Sequence, residues 1–299
     1  MNTIESYTPE FVLRLEQNAE DCHCPCCQRQ PSMVTLRWQN QIRHSALLDC
    51  DRAAREILCR DDAFVLHGNH SEKPNARPLD PRLQALNQAA INLTISGDAS
   101  PEQILYTLGV LISKSSQLSE PQQITALGDE LVGLMQQGMM AQAFEQIPMI
   151  NTSKLAALKA LSRSELDASL DPLTGMTLVL KLNDINVMTS HYLQDTLAEL
   201  EQATQLAGFM QSHRSVFLNV LLYAFYHHVF PGEDECAWEQ QFYRLCLHFF
   251  SLKMLCAIFV HSELMLDDEA IAALFAAWQR VPEVAVSDNP LLAGISLLR

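Results

Sequence analysis

From Arg82 onward, apolar residues recur at spacings of three and four, which is typical of amphipathic helices. Serine or glutamate followed by proline marks two helix starts, at Ser100 and at Glu120. Further helices are predicted over residues 192–210, 216–230, 239–261 and 267–280. Short runs with strand character are confined to residues 33–36 and 177–180. The pattern therefore predicts an all-α fold, a multi-helix bundle with a small irregular Cys-rich N-terminal segment.

The pattern changes near Pro81. Before this residue the chain is polar, bears cysteine and histidine side chains, and contains a turn-rich stretch with Gly68, Pro74 and Pro78. After it, the helical spacing of apolar residues begins. We therefore predict two parts: a Cys/His-containing N-terminal segment over residues 1–81 and a helical domain over residues 82–299.

Two windows, residues 216–230 and 242–260, are the most apolar of the chain. A membrane-spanning helix needs about 20 apolar residues with few charges. The second window carries Arg244, His248 and Lys253. Both windows are therefore predicted to be buried bundle helices, and no membrane association is expected.

Polar residues within these windows have specific predicted places. Arg244 and His248 are four residues apart, so they share a helix face and line either a polar pocket or a solvated edge of the bundle. The neighbouring His227 and His228 point about 100° apart on a helix. One of these two histidines is therefore predicted to lie in the core and the other in solvent.

The composition shows that the chain is globular and strongly acidic. A chain of 299 residues with 48% hydrophobic and 18% charged residues is globular, and this excludes a disordered protein. The 20 basic and 35 acidic residues give a net charge of -15, which repels nucleic-acid phosphates and anionic lipid surfaces. No nucleic-acid partner is therefore expected, and a basic protein or a cationic substrate side chain fits the charge better.

Four of the nine cysteines lie within six residues, at Cys22, Cys24, Cys26 and Cys27. An odd number of cysteines and the lack of a secretory signal pattern predict a reducing, cytoplasmic environment rather than a disulfide framework. In that environment a dense cysteine cluster is typical of a metal or iron–sulfur site. Three further cysteines, ten residues apart in an apolar region, are predicted to pack in the core: Cys236, Cys246 and Cys256.

Zinc is an alternative metal for the cluster. Cys24 and Cys27 have the Cys-x-x-Cys spacing of half a zinc site. Two pairs are candidates for the other half: His67 with His70, and Cys50 with Cys59. His67 and His70 are otherwise expected on a solvated loop. A third alternative is that the cysteines hold no metal.

Three segments form a pattern in chain order. Residues 20–27 place Cys22, Cys26 and Cys27 as Cys-x-x-x-Cys-Cys after acidic residues. Residues 48–55, LDCDRAAR, begin a helix on Cys50. A C-terminal helical region carries Asn219, Phe230-Pro231, Tyr243-Arg244 and Arg280. Together these segments resemble the flagellin lysine-N-methylase family.

The resemblance implies a helical protein-lysine N-methyltransferase that transfers methyl groups from S-adenosylmethionine to lysine side chains of flagellin. It also implies a [4Fe-4S] cluster held by cysteine thiolates. The ligands are then expected among Cys22, Cys24, Cys26, Cys27 and Cys50. Neither the base nor the donor-binding residues are identified by the resemblance.

The chain also departs from the family pattern. Gln28 and Arg29 stand where family members carry Gly-Trp, and a histidine expected soon after Arg280 is absent from the sequence that follows it. These departures indicate a shortened or divergent member. A second function class therefore stays open: a catalytically inactive helical module that binds a flagellar or other basic partner, with zinc or no metal at its cysteines.

Overall fold

The computed structural model describes residues 3–18, 22, 24, 26, 27, 32–282 and 287–299. Its first part contains a four-stranded sheet that the apolar pattern does not predict. The elements are, in order, β1 (Thr3–Pro9), α1 (Glu10–Gln17), β2 (Met33–Arg37), β3 (Gln41–Ala46), α2 (Asp51–Leu58) and β4 (Leu66–Glu72).

The sheet has the strand order β2-β3-β1-β4. Strand β1 runs parallel to β3, with Ser6 beside Ile42, and both edge strands are antiparallel to their neighbours. Parallel neighbours need a crossover connection. Here that connection contains α1, Cys22, Cys24, Cys26, Cys27 and β2, so these cysteines lie in the chain between α1 and an edge strand of the sheet.

The rest of the described chain is helical, which confirms the predicted mostly helical fold. The helices are α3 (Pro81–Ile95), α4 (Pro101–Ser115), α5 (Pro121–Gln136), α6 (Met139–Glu145), α7 (Asn151–Leu161), α8 (Pro172–Val187), α9 (Ser190–Gln202), α10 (Thr204–Ser212), α11 (Arg214–His227), α12 (Trp238–His261), α13 (Asp268–Gln279) and α14 (Pro290–Leu298).

Capping residues explain where several helices begin. The backbone N–H of Gln103 donates to Ser100 Oγ at 3.3 Å, and the Gln103 side-chain oxygen accepts from the Ser100 N–H at 3.1 Å. This reciprocal pair is a capping box, with Pro101 at the first helical position. The helix starts predicted at Ser100 and Glu120 are therefore confirmed.

The strand and helix predictions differ from the structure in three places. Residues 33–36 lie in β2, as predicted, but residues 177–180 lie in α8, where buried Leu178 and Leu182 follow helical spacing. Strand β4 has no apolar alternation because it is polar and almost entirely exposed. The helix predicted over residues 192–210 is two helices, α9 and α10, which divide at Ala203.

The chain forms two compact units, each assembled from three stretches of sequence. Unit 1 comprises Met1–Ala76, Leu155–Asn219 and Ser251–Glu283. Unit 2 comprises Arg77–Lys154, Val220–Phe250 and Val284–Arg299. The predicted division of the chain after Pro81 stays a prediction.

Unit 2 packs an aromatic ring against two glycines. A Cβ added to Gly109 would lie 2.8 Å from Cζ of Phe242, and one added to Gly294 would lie 2.8 Å from Cε1 of the same ring. Real Cβ atoms essentially never come this close to another atom. The Phe242 ring therefore occupies space that only glycine leaves open on α4 and α14.

One stretch of the described residues, Glu235–His261, is long and apolar enough to cross a membrane by length and composition. Its most apolar window is 67% buried inside the structure, as in a core helix.

Cys246 and Cys256 are fully buried in α12, which confirms their predicted place. Cys236 is exposed, so its predicted place in the core is wrong. The physical reason is that Cys236 lies in a short 3-10 turn before α12 begins.

The histidine pair at the end of α11 divides as predicted, with His227 buried and His228 exposed. The His227 ring stacks on Tyr223, with ring centroids 4.7 Å apart. Burial, together with the nearby charge of His228, lowers the pKa of His227 to about 4. His227 is therefore a neutral core side chain at ordinary pH. Arg244 and His248 are partly exposed on α12.

Candidate metal centre

Four cysteine side chains converge in unit 1. Cys22, Cys24 and Cys27 follow α1, Cys50 precedes α2, and their four Sγ atoms all lie within 4.8 Å of one another. The closest Sγ pairs are Cys24–Cys27 at 3.2 Å, Cys27–Cys50 at 3.5 Å and Cys22–Cys50 at 3.6 Å. The fold thus brings a loop and a helix start together at a single point.

The N-terminus of α2 faces these sulfurs. Cys50 is the N-cap residue of α2, and the nearby backbone N–H of Ala53 acts to lower the pKa of its thiol. The backbone N–H of Asp51 donates to the Cys24 sulfur. A helix N-terminus carries unpaired N–H groups and a partial positive charge. It therefore stabilises thiolates, which are the form of cysteine that binds metals.

The thiols of this group differ in the direction in which their pKa values are shifted. Burial raises the pKa of Cys24, but donation from the backbone N–H groups of Cys27 and Asp51 outweighs it and lowers the pKa to about 6. Burial raises the pKa of Cys50 to about 12, and it also raises the pKa of Cys27. The thiol with the lowered pKa, Cys24, therefore lies beside two thiols with raised pKa values, Cys27 and Cys50. A bound metal ion would reverse this, because a metal deprotonates the thiols that coordinate it.

The donor set fits a metal that prefers sulfur. Thiolates select zinc or an iron–sulfur cluster over harder cations. In a tetrahedral site with Zn–S bonds of about 2.3 Å, the sulfurs lie about 3.8 Å apart, close to the closest Sγ separations, 3.2–3.6 Å. A cubane cluster attaches each thiolate to a different iron, so its sulfurs lie farther apart. Both metals fit the chemistry of the donors, and zinc fits their spacing without movement of the loop.

Cys26 lies beside this group rather than in it. Its Sγ atom is 3.3 Å from that of Cys24, and its thiol donates to the Asp49 carbonyl oxygen at 2.8 Å. Burial, with the neighbouring Cys24 sulfur, raises the pKa of Cys26. The five predicted ligands are thus four convergent thiols and one neighbour, and their metal binding stays a prediction.

Of the alternative zinc partners, Cys50 belongs to the four-thiol group, whereas His67, His70 and Cys59 do not. His67 and His70 belong to the exposed strand β4 and not to a loop. Residues three apart on a strand point to opposite faces, so these histidines cannot bind one ion together. His67 Nε2 instead lies 2.7 Å from Glu10 Oε2, and the Cys59 thiol contacts the Asp268 carbonyl oxygen at 3.6 Å. Other residues of the predicted motifs lie outside the described residues: Glu20, Asp21, His23, Pro25, Gln28 and Arg29.

Arg280, which follows α13, forms hydrogen bonds that hold the chain segment preceding α2. Its guanidinium group donates to the carbonyl oxygens of Asp49 and Asp167 and lies 3.7 Å from the Asp51 carboxylate. Asp49 is the same residue whose carbonyl oxygen accepts from Cys26. Arg280 therefore contacts both neighbours of Cys50, the backbone of Asp49 and the side chain of Asp51.

Two other polar side chains hold the ends of α2. Arg52 is buried and donates to the carbonyl oxygens of Leu15 and Asn18 at the end of α1, where the helix dipole favours a positive charge. The Asn219 amide donates to the carbonyl oxygen of Leu58, the last residue of α2, at 3.1 Å. Three residues of the family-like segments, Arg52, Asn219 and Arg280, thus fix the helix that presents Cys50.

Sequence reasoning missed the part played by Asp51. Burial raises the pKa of this carboxyl group, although hydrogen bonding to Ser169 and the charge of Arg280 favour its ionised form. Asp51 thereby joins α2 to residues 167–169, far away in sequence. The available signal is that Cys50 is flanked by aspartates on both sides.

A cleft of about 610 Å³ lies in unit 1 between residues 162–170 and α8. Its lining includes the exposed acidic residues Glu165 and Asp167 and the buried apolar residues Leu178 and Leu182. The volume is that of sites that bind small molecules or side chains. Because Arg280 bonds to the Asp167 carbonyl oxygen, one side chain connects the cleft to the segment that carries Cys50.

Comparison with known proteins gives one family and two relatives. The profile of the FliB lysine N-methylase C-terminal domain matches residues 87–287. Proteins named lysine-N-methylase from Salmonella typhimurium and Salmonella choleraesuis are each 25% identical to the chain over 257 residues. No solved structure matches the chain.

The extent of these matches matters for what they support. Each Salmonella alignment covers 75% of this chain, and the chain spans 59% of the length of each relative. The profile includes Asn219 and Arg280, which support α2, but it begins after the cysteine site. Since the profile covers more than half of the chain, the chain belongs to the FliB lysine N-methylase family.

Proposed function

We propose that this chain is a protein-lysine N-methyltransferase that transfers methyl groups from S-adenosylmethionine to lysine side chains of flagellin. Family membership supports lysine methylation, as does the name of the two Salmonella relatives. The observation that carries the proposal is the four-thiol site, held in place by Asn219 and Arg280 of the family-matched region. Nine free cysteines fit a reducing, cytoplasmic location, which is part of the proposal.

Lysine methylation requires a neutral amine that is placed in line with the bond to be broken. S-adenosylmethionine supplies an electrophilic methyl group on a positively charged sulfur. The work of the chain is to bind the lysine side chain, take up the proton that its ammonium group loses, and exclude water. A net charge of -15 attracts a cationic side chain.

The proposed cofactor is a [4Fe-4S] cluster. Cys22, Cys24, Cys27 and Cys50 would hold it, and Cys26 is the nearest substitute ligand. The cluster would supply the positive charge that lets all four thiols ionise. Zinc is the second candidate, because the observed sulfur separations match a single tetrahedral ion. With either metal, the thiols tie the loop after α1 to the start of α2.

A second function class also has an observation in its favour. The net charge of -15 suits a surface that binds a basic partner. This favours a catalytically inactive module that binds flagellin or another basic protein. In that case the cysteine site would be structural, with zinc or no metal.

The experiment that separates the two classes is a methyl-transfer assay. Anaerobically purified chain is incubated with monomeric flagellin and S-adenosylmethionine carrying a labelled methyl group, and mass spectrometry then locates labelled lysines. We expect labelled lysines with the unchanged chain and with Cys246→Ser, and none with Cys27→Ser. A folded, metal-loaded chain that labels no lysine would leave only the interaction module.

A metal analysis of the same sample decides the cofactor. Iron and acid-labile sulfide in equal amounts, with a brown colour, support the [4Fe-4S] cluster. One zinc per chain and no sulfide support the tetrahedral site. A chain with neither metal would contradict both proposals for the cysteines.

A further inference from the structure

Helix α8 leaves a row of apolar side chains exposed. Leu173, Met176, Leu180 and Val187 have exposed fractions of 72, 60, 58 and 80%. At 100° per residue these four positions fall within roughly 60° of each other around the helix. They also span about 21 Å along it. Leu173, Met176 and Leu180 are contiguous on this face, and Val187 lies one turn further on, beyond the polar Asn183 and Asp184. We call these four residues the α8 stripe.

The stripe borders the cleft between residues 162–170 and α8. Val179 and Asn183 line that cleft, and they precede and follow Leu180 on the neighbouring part of the helix surface. Leu178 and Leu182, on the side of α8 opposite the stripe, form the far part of the cleft wall. Because Val179 and Asn183 lie between the stripe and that wall, a molecule along the stripe can place one side chain into the cleft.

The charges at the cleft determine which occupant fits. Its lining holds two exposed carboxylates, Glu165 and Asp167, and one exposed cation, Arg163. Acidic groups therefore outnumber basic ones there, in a chain whose net charge is -15. A second copy of the chain would bring the same negative charge to the interface, which opposes self-association. A segment with apolar residues on one face and a lysine at its edge complements both the stripe and the carboxylates.

We propose that the α8 stripe and the adjoining cleft form the docking surface for the protein substrate, an inference that rests on the proposed lysine methylation. The apolar face of an amphipathic substrate segment lies on Leu173, Met176, Leu180 and Val187, as helices dock into apolar grooves in other proteins. The target lysine enters the cleft beside Glu165 and Asp167. Arg280, which bonds to the Asp167 carbonyl oxygen, connects this cleft to the cysteine site.

The test places a charge on the stripe. Met176→Glu and Leu180→Glu alter exposed positions, so both variants are expected to fold. With flagellin as the probe, we expect KM to rise at least about tenfold, since buried apolar contacts are lost, while kcat at saturation and metal content stay unchanged. The matched control is Met265→Glu, an exposed methionine outside the surface, for which no change is expected. Equal KM values for Leu180→Glu and the unchanged chain would overturn the docking surface and leave the proposed function intact.

Binding without methyl transfer separates the two proposals. Fluorescence anisotropy of labelled flagellin is measured in the absence of S-adenosylmethionine. If the unchanged chain binds flagellin, labels no lysine and loses binding in Leu180→Glu, the docking surface stands and the methyltransferase proposal fails. If Leu180→Glu binds as tightly as the unchanged chain, the docking surface is wrong.

Two further measurements test the role of the cleft carboxylates and the alternative that a second copy of the chain covers the stripe. Glu165→Gln with Asp167→Asn is expected to weaken flagellin binding and to reduce its dependence on salt, because exposed charge pairs are screened. An unchanged salt dependence would contradict a place for the lysine beside these carboxylates.

Light scattering after size exclusion should give a monomer for the unchanged chain. A dimer that Leu180→Glu dissociates would assign the stripe to a second copy and overturn the proposal.

Discussion

The cysteines at the start of α2 and those within α12 are equally buried but differ in chemistry. Cys50, Cys246 and Cys256 are all fully buried. Burial raises the pKa of Cys246 and Cys256, and neither belongs to the group of convergent ligands found among the described residues. Cys50 has two thiols within 3.6 Å and lies at a helix N-terminus. Burial alone makes a cysteine an inert apolar side chain, whereas convergence at a helix start makes a metal site.

The largest expected difference between these regions is in metal content. In Cys50→Ser, we expect metal per chain to fall at least about tenfold, because a hydroxyl is a poor ligand for a soft metal. In Cys246→Ser, we expect full metal content and a loss of about 1–3 kcal/mol in unfolding free energy, because the hydroxyl is buried. Elemental analysis and urea denaturation measure the two effects. Equal metal loss in both variants would remove the distinction between the regions.

The next effect concerns the support of the cysteine site. Arg280 donates through two different nitrogens to the carbonyl oxygens of Asp49 and Asp167. Lysine keeps the charge but lacks this planar fork, so Arg280→Lys is expected to weaken metal binding about tenfold. Competition with a chelator measures the change, and Arg37→Lys, at an exposed position of β2, is the matched control. Unchanged metal affinity would show that Arg280 does not position the ligands.

In unit 2 the expected effect is on packing only. Gly109→Ala would press a methyl group against Phe242, and we expect a loss of about 1–3 kcal/mol in unfolding free energy. Gly133 lies in α5 with no atom within 4 Å of an added Cβ. Gly133→Ala should therefore stabilise the chain by about 0.4–1 kcal/mol. Urea denaturation of both variants checks this, and metal loss in Gly109→Ala would contradict the separation of packing from metal binding.

The smallest effect is a dependence of stability on pH through His227. Its pKa falls from 6.5 to about 4 on folding, mainly because it is buried, so the unfolded chain binds the proton more readily between these values. Its contribution is present in full above pH 6.5 and is lost as pH falls toward 4, by about 1–3 kcal/mol in all. His227→Phe keeps the ring beside Tyr223 and should flatten this part of the pH profile. An identical profile for both chains, measured by urea denaturation, would exclude His227 as its source.

The sequence is informative about the helices because their signals are local. Ser100 and Glu120 precede the prolines that begin α4 and α5, where the sequence predicts helix starts. The sheet carries no such signal, since β4 is polar and exposed. Its pairing with β1 depends on contacts between residues more than 50 positions apart, such as Glu5 with His70, which no local pattern contains.

The candidate site was partly predictable, because part of its signal is also local. Four cysteines within residues 22–27 indicate a thiolate site, and residues 48–55 resemble a family segment that contains Cys50. The pattern cannot show that Cys26 turns toward the Asp49 carbonyl oxygen while Cys24 joins the group. Nor can it show that Arg280 connects this site to residue 167. These contacts depend on how α13 and the loop before α8 pack against α2.

X-ray absorption of the anaerobically purified chain tests the central claim most directly, because it counts the atoms bound to the metal. If Cys22, Cys24, Cys27 and Cys50 are the ligands, the metal has a shell of sulfur at about 2.3 Å and no nitrogen shell. Added scattering from neighbouring irons would identify the [4Fe-4S] cluster, and its absence would identify a single ion. A shell dominated by nitrogen or oxygen would contradict the four-thiol site.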